Sequence, residues 1–413
     1  MFYAMKIIQR KNYLTNIRKY IDIDLIKVLT GVRRCGKSIL LKQIIEEIKE
    51  KISEDHIIYI NFEDFEFENI NTAKKLHEYI KTQIIDSQKY YLFFDEIQHV
   101  SEFERAIASF KSTLNCSIFI TGSNSKLLSG ELATLLVGRT VEFKIMPFSY
   151  SEAVQLYKAN RRKIPENFIY DYIKWGGMPQ RFDFNEEKEI KIYLEDIFRG
   201  IVEKDIYKRD SEIERYKFNA ISAYILSNAG KEFSAENIVN YYNSQNEKNK
   251  KAIEKKTIYN YIEKLEKAYL ISRVKRFNIV GKEVLKTIEK QYAIDTGFRT
   301  INTNLINYED TFYLENVIYN ELILRGYTVY TGKSYKNEID FVAIDGKKKC
   351  FIQVSYIMSN EETIRREFEA FRPIKDASPK YVLSLDKVDL SHDGITHINI
   401  EDFLLHKKDL FLA

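Results

Sequence analysis

The stretch that most constrains this chain is Lys27-Val-Leu-Thr-Gly-Val-Arg-Arg-Cys-Gly-Lys-Ser-Ile-Leu-Leu, where an apolar strand runs into a glycine-bearing turn that opens directly into a helix. Gly31, Gly36, Lys37 and Ser38 fall on the spacing G-x-x-x-x-G-K-[ST]. Glycines are needed there because backbone amides must curl around phosphate oxygens with no Cβ in the way. The expected nucleotide contact is the whole loop: Gly31, Val32, Arg33, Arg34, Cys35, Gly36, Lys37, Ser38 and Ile39. A helix beginning near Lys37 adds unpaired amides and its dipole to the same anion. Lys37 then supplies charge to the β- and γ-phosphates of ATP, and the Ser38 hydroxyl holds a bridging magnesium ion. A chance Gly-Lys-Ser turn is the plainer alternative, and the strand and helix on either side argue against it.

A second element should accompany such a loop. Tyr90-Tyr-Leu-Phe-Phe-Asp-Glu-Ile is a wholly apolar strand ending in two carboxylates, the Walker B pattern. Charge at the carboxyl end of a buried strand is costly unless a cation or water chain meets it, so Asp95 is expected on the magnesium side. Glu96 is expected to polarise the attacking water; otherwise it is a solvated acid at a strand exit. A third strand, Ser117-Ile-Phe-Ile-Thr-Gly-Ser-Asn, ends in small polar groups suited to sensing the γ-phosphate, Asn124 first and Ser123 second, unless they only cap a helix. Arg139, ahead of a strand over Val141 to Ile145, is the candidate to complete the site of a neighbouring copy, with a surface ion pair as the alternative.

A chain of 413 residues is too long for one ordinary core. With 45% hydrophobic and 14% aromatic residues it folds rather than staying disordered. Three scattered cysteines, Cys35, Cys116 and Cys350, form no C-x-x-C pair, which suits a reduced cytosol. No run approaches the roughly 18 apolar residues needed to span a bilayer, and six histidines make no ligand-spaced cluster, leaving magnesium as the only expected metal.

The net charge of +4 is small but unevenly spread. Between Gln245 and Lys290 there are thirteen Lys and Arg against six Glu, a local excess of seven. Inside this region Ile258, Ile262, Leu265 and Tyr269 recur at helical spacing behind Thr257, read as the cap, with Lys255, Lys256, Lys264 and Lys267 at the start or off that stripe. Leu270 to Phe277 alternates like a strand. Helices followed by a basic helix and strand suggest a winged helix-turn-helix that sets lysines against DNA phosphates; a solvated face or a docking surface for another protein is the alternative.

In the carboxy-terminal third, Phe312 to Arg325 reads as a helix, Tyr327 to Tyr330 as a strand, and Glu338 to Ile344 with Cys350 to Tyr356 as a hairpin around Asp345-Gly346. Period two puts Ile339, Phe341, Ala343, Ile352 and Val354 on one face and Glu338, Asp340, Gln353 and Ser355 on the other. With Glu315 on the preceding helix, these acids are what a magnesium-dependent phosphodiesterase needs. Ser355 stands where such enzymes keep a lysine, so a degenerate site is expected unless Lys333 or Lys336 reaches it.

The loop Gly31 to Ser38, Tyr59-Ile-Asn-Phe-Glu-Asp, Phe93-Phe-Asp-Glu, Thr121-Gly-Ser-Asn-Ser-Lys-Leu-Leu and Gly138-Arg139 to Pro147-Phe-Ser-Tyr together resemble the prokaryotic AAA-type ATPases of the STAND-like branch. Trp175-Gly-Gly-Met-Pro, Asp196 to Asp205, Glu338-Ile-Asp-Phe and Gln353-Val-Ser resemble the carboxy-terminal domain usually fused to them. The resemblance implies an α/β fold: a P-loop parallel sheet over residues 1–150, a helical lid-like region over 151–210, a winged helix over 211–304, and a domain akin to the PD-(D/E)xK nucleases over 305–413. It implies ATP and magnesium as cofactors, and leaves open DNA, another protein or a homo-oligomer as partner. Trp175-Gly-Gly-Met-Pro is otherwise explained as turn chemistry.

Overall fold

Apolar runs buried on both faces, such as Ile26–Thr30 and Tyr90–Asp95, pair as a covered parallel sheet, flanked here by two half-buried edge strands. A computed structural model describes residues 6–123, 136, 138–245, 252–303, 310–334, 337–358 and 360–411. Strands β1 (Ile26–Thr30), β2 (Ile57–Asn61), β3 (Tyr90–Asp95), β4 (Cys116–Thr121) and β5 (Thr140–Lys144) are all parallel, in the order β2-β3-β4-β1-β5. Val28, Ile60, Leu92, Phe94 and Ile120 meet in one core with Phe110 and Ile107 of the helix Phe103–Thr113. The helix Lys37–Lys49 buries Leu40, Leu41, Ile44, Ile45 and Ile48, each worth about 1.5–3 kcal/mol of transfer free energy. Register sets Leu29 beside Thr121 and Asn61 beside Asp95, so the ends of β1, β3 and β4 share one edge of the sheet. In open α/β sheets ligands bind at that edge.

The chain divides into two compact units, Met1–Pro147 with Lys267–Tyr269, and Phe148–Glu266 with Leu270–Ala413. The second unit is α/β as well, with a mixed sheet of seven strands: β6 (Ile271–Asn278), β7 (Glu283–Ala293), β8 (Thr328–Ser334), β9 (Asn337–Asp345), β10 (Lys348–Val354), β11 (Lys380–Ser384) and β12 (Thr396–Asn399), ordered β12-β11-β10-β9-β8-β6-β7. The hairpin β9–β10 turns tightly, with Asp345 opposite Lys348 and Phe341 opposite Ile352, as the alternation required. The basic strand β6 pairs antiparallel with β7 and parallel with β8, so this sheet runs straight across residue 304.

Two local expectations need correcting. The basic helix spans Lys255–Lys267, and the Thr257 amide bonds to the Glu254 carbonyl, so Thr257 lies inside the first turn and is not the cap. Tyr269, expected on the buried stripe, lies beyond the helix; Tyr261 joins Ile258, Ile262 and Leu265 instead.

Trp175-Gly-Gly-Met-Pro is a turn with a further task. A Cβ on Gly177 would lie 1.9 Å from the Phe148 carbonyl oxygen, and one on Gly176, at φ +72°, would strike the Asp295 carboxyl. The Gly177 and Gly297 amides donate to Asp295 at 2.7 and 2.9 Å. Burial pushes the Asp295 carboxyl up to about 6 despite these bonds. No helix among the described residues is long and apolar enough to cross a membrane.

Candidate functional site

The buried strand β1 delivers Gly31 at φ +141°, where a Cβ would sit 2.2 Å from the Ile145 carbonyl oxygen. Only glycine fits, because both the backbone and the neighbouring chain exclude a side chain. Gly36 caps the helix Lys37–Lys49 in the left-handed region at φ +100°. Lys37 is 3% exposed, and its Nζ donates to the Gly31 and Val32 carbonyls at 3.1 and 3.2 Å. Val32 and Cys35 are fully buried, Ser38 is half-buried, and Arg34 and Ile39 are exposed. Arg33 pairs with Glu63 at 3.7 Å.

Asp95 is 1% exposed at the end of β3. It accepts hydrogen bonds from the Thr121 hydroxyl and, at 3.2 Å, from the Tyr59 hydroxyl. Burial and then Asp95 raise the Tyr59 phenol, so it stays a donor at neutral pH. The Glu96 amide donates to the same Thr121 oxygen at 3.0 Å. Glu96 is left-handed at φ 53°, a strained setting for a non-glycine residue. Its carboxylate lies 3.9 Å from Lys37 Nζ and accepts from the Gln98 amide. Lys37, Asp95, Glu96 and Thr121 are therefore one connected cluster, at the edge where the sheet's strands end.

Sequence reasoning missed two members. Thr121 was visible only as part of a small polar run; its place beside Asp95 depends on β3–β4 register. Arg10, 1% exposed, donates to the carbonyls of Cys35, Met146 and Pro147 at 3.2, 2.9 and 3.2 Å and so braces the loop from behind. Nothing local marks it. Ser123 is fully buried with no hydrogen-bond partner for its hydroxyl among the described residues, whereas Asn124 lies outside them. Arg139 is exposed and precedes Thr140, which pairs with Ile26 at the start of β1. It is thus at the opposite end of the strands from Gly31, about 20 Å away at strand rise, too far to serve its own phosphate loop.

In the second unit Glu315, Glu338, Asp340 and Gln353 line one cavity of about 840 Å³, as the face pattern required, and Lys290 lines it with them. Lys290 Nζ lies 3.0 Å from Glu315 and 2.7 Å from Glu338. The Tyr292 hydroxyl donates to Glu315 as well. Burial works against the Lys290 charge, but Glu315, Asp340 and Glu338 outweigh it and hold the ammonium above its usual range. Burial, then Glu315, raises Asp340 well above the ordinary carboxylate range. The cation comes from β7, a source that neither Lys333 nor Lys336 anticipated; Lys336 is outside the described residues. Ser355, expected on this face, follows the end of β10 and is buried, with its amide bonded to the Leu383 carbonyl at 2.9 Å. Among the described residues no group of three or more His, Cys, Asp or Glu is placed to hold a metal ion.

The basic helix carries fewer unengaged cations than its composition suggests. Lys264 bonds Asp210 at 2.5 Å, Lys255 bonds Glu236 at 3.1 Å, and Arg273 of β6 bonds Glu266 at 2.6 Å.

Residues 24–154 match the AAA domain family, and residues 166–308 match the domain of unknown function DUF8612. An uncharacterized protein of Haemophilus influenzae is 34% identical over 404 residues, spanning 96% of this chain and 98% of that protein. One of Methanocaldococcus jannaschii is 32% identical over 408 residues, spanning 94% and 88%. Among solved structures, the Aeropyrum pernix Orc1 protein in complex with DNA is similar at 10% identity with a TM-score of 0.36, covering 72% of this chain and 92% of that one, a likeness too loose to argue from.

Proposed function

Because this chain belongs to the same family as those two relatives and carries an AAA domain over residues 24–154, we propose that it binds ATP with magnesium at Gly31 to Ser38 and hydrolyses it. The observation that carries this reading is the cluster of Lys37, Asp95, Thr121 and Glu96. A lysine that is buried against its own loop carbonyls has a ready substitute for them in phosphate oxygens. Ser38 and Asp95 are the magnesium side, and Asp95 is held for that role by Thr121 and Tyr59. Bound magnesium supplies charge neutralisation at the β- and γ-phosphates. Glu96 orients the attacking water and accepts its proton, with Thr121 fixing the backbone from which it projects. Asn124 is the first candidate for the γ-phosphate sensor and Ser123, whose hydroxyl has no partner among the described residues, the second. Arg139 serves only in trans, in a homo-oligomer.

The nucleotide-driven change acts on a partner. We read Arg215–Ser227, Ala235–Gln245, Lys255–Lys267 and the β6–β7 hairpin, closed by the Glu232 to Lys290 bridge, as a winged helix, and DNA as its ligand in a switch or motor. The pairing of Lys264, Lys255 and Arg273 with carboxylates favours the second reading, a regulatory ATPase whose partner is a protein. We assign residues 305–413 to a nuclease-like fold that binds without cutting, its carboxylates engaged by Lys290.

Two variants test the ATP site. Lys37→Ala abolishes nucleotide binding, whereas Glu96→Gln binds ATP but hydrolyses it about 10²-fold or more slowly, because only the water-orienting group is lost. Wild-type turnover in both variants would refute the assignment. DNA-stimulated turnover separates the two partner readings.

A further inference from the structure

Three residues far along the chain belong to the first unit: Lys267 to Tyr269. They follow directly from the helix Lys255–Lys267, whose end is closed by a bond from the Leu270 amide to the Leu265 carbonyl at 2.9 Å. That is the six-to-one bond of a Schellman closure, and it places Tyr269 in the left-handed position after the cap, at φ 54°. Glycine is the usual occupant there because any Cβ is strained. A tyrosine at this point, only 5% exposed, calls for a use for its side chain.

Its surroundings supply one. The Tyr269 hydroxyl lies 3.4 Å from Glu142 Oε1 on β5, and the same oxygen accepts from the Thr30 hydroxyl at 2.6 Å. Lys144 of β5 lies 5.6 Å from the centre of the Tyr269 ring. Thr30 is fully buried, ends β1 and immediately precedes Gly31. Its carbonyl accepts from the Ile145 amide at 2.7 Å, and Ile145 is the residue that forbids a side chain at Gly31. Burial raises the Tyr269 phenol, and Thr30, Glu142 and Cys35 of the loop all act on it, so the hydroxyl remains a donor within reach of the phosphate loop.

We propose that Tyr269 is a positioning residue of the nucleotide site: with Glu142 it fixes Thr30, and through it the root of the phosphate loop. This deepens, and rests on, the ATP reading of that loop. Tyr269 does not touch the reacting groups, so its loss affects loop order and affinity rather than the chemical step.

The test uses the full chain and Tyr269→Phe, which keeps the ring and its packing and removes only the hydroxyl. Amide exchange of residues 31–38 without nucleotide should be faster in the variant, and the Kd for a non-hydrolysable ATP analogue and the KM should rise about three- to tenfold, the scale of one lost hydrogen bond, with kcat within about twofold. Thr30→Val should give the same phenotype, and the double variant should be no worse than either single one. Unchanged loop exchange in Tyr269→Phe would overturn the proposal whether or not ATP binds. Persistent binding in Lys37→Ala would instead defeat the ATP reading and leave the loop-exchange result to decide the role of Tyr269.

Discussion

Replacing Lys27 with methionine should stabilise the protein at neutral pH, and the size of the effect follows from the burial of its ammonium. Lys27 is fully buried near the start of β1, between β4 and β5. Nζ donates to the Ile21 carbonyl at 3.2 Å and the Ser117 hydroxyl at 2.8 Å, and lies 4.7 Å from the Phe119 ring centre, with no carboxylate paired to it among the described residues. Burial lowers its pKa from 10.5 to about 8. Between those values the unfolded chain holds the proton and the folded protein releases it, so stability rises with pH through that window. The full penalty applies below about pH 8. A difference of about 2.5 units corresponds to about 3 kcal/mol. Lys27→Met removes that penalty and leaves Ser117 bonded to Ile21, so the loss from broken hydrogen bonds is about 1 kcal/mol. The net expectation is about 2 kcal/mol of added stability at pH 7, vanishing by about pH 10. Urea unfolding followed by circular dichroism at pH 7, 8, 9 and 10 measures it. Other titrating groups cancel in the difference between variant and wild type. A difference that stays constant across this range, or a variant less stable at pH 7, would refute the argument.

Gly31→Ala should disorder the phosphate loop and remove nucleotide binding, because its Cβ has no space beside the Ile145 carbonyl; isothermal titration against Gly36→Ala, whose Cβ meets nothing within 4 Å, separates steric exclusion from backbone strain. Asp295, with its pKa raised to about 6, should make the second unit lose about 2–3 kcal/mol as pH rises from about 4 to 6, because the folded state holds a proton that the unfolded chain gives up; Asp295→Asn should flatten that slope in the fluorescence of Trp175. Lys290→Met should destabilise the second unit by about 3 kcal/mol by leaving Glu315 buried without its cation, as read by thermal unfolding. Incubating the protein with single- and double-stranded DNA and RNA in magnesium or manganese should give no cleavage; cutting that disappears in Asp340→Ala would contradict the binding role given to that pocket.

What could be read from the sequence was the part whose chemistry is local. A phosphate loop needs its glycines, lysine and serine within eight consecutive positions, so Gly31 to Ser38 announce themselves, and Asp95 and Glu96 mark the end of an unbroken apolar strand. The hairpin β9–β10 was legible for the same reason: period two and a Gly346 turn fix which residues share a face. Thr121, Arg10, Tyr269 and Lys290 were not legible, because each is defined by a neighbour far along the chain. Thr121 needs the β3–β4 register, Arg10 needs the carbonyls of residues 35, 146 and 147, and Lys290 needs β7 to end up within reach of Glu315.

The misreading of Ser355 shows how a local rule overreaches. Alternation places it in line with Gln353 only while the strand continues, and β10 ends at Val354. The expectation of a missing lysine concerned position 355 alone; the pocket takes its positive charge from Lys290 on another strand, since electrostatics asks for a positive charge near the carboxylates and is indifferent to the strand that brings it. The same logic applies at the nucleotide site. Thr30 and Glu142 are unremarkable residues on neighbouring strands until the Tyr269 hydroxyl is set beside them.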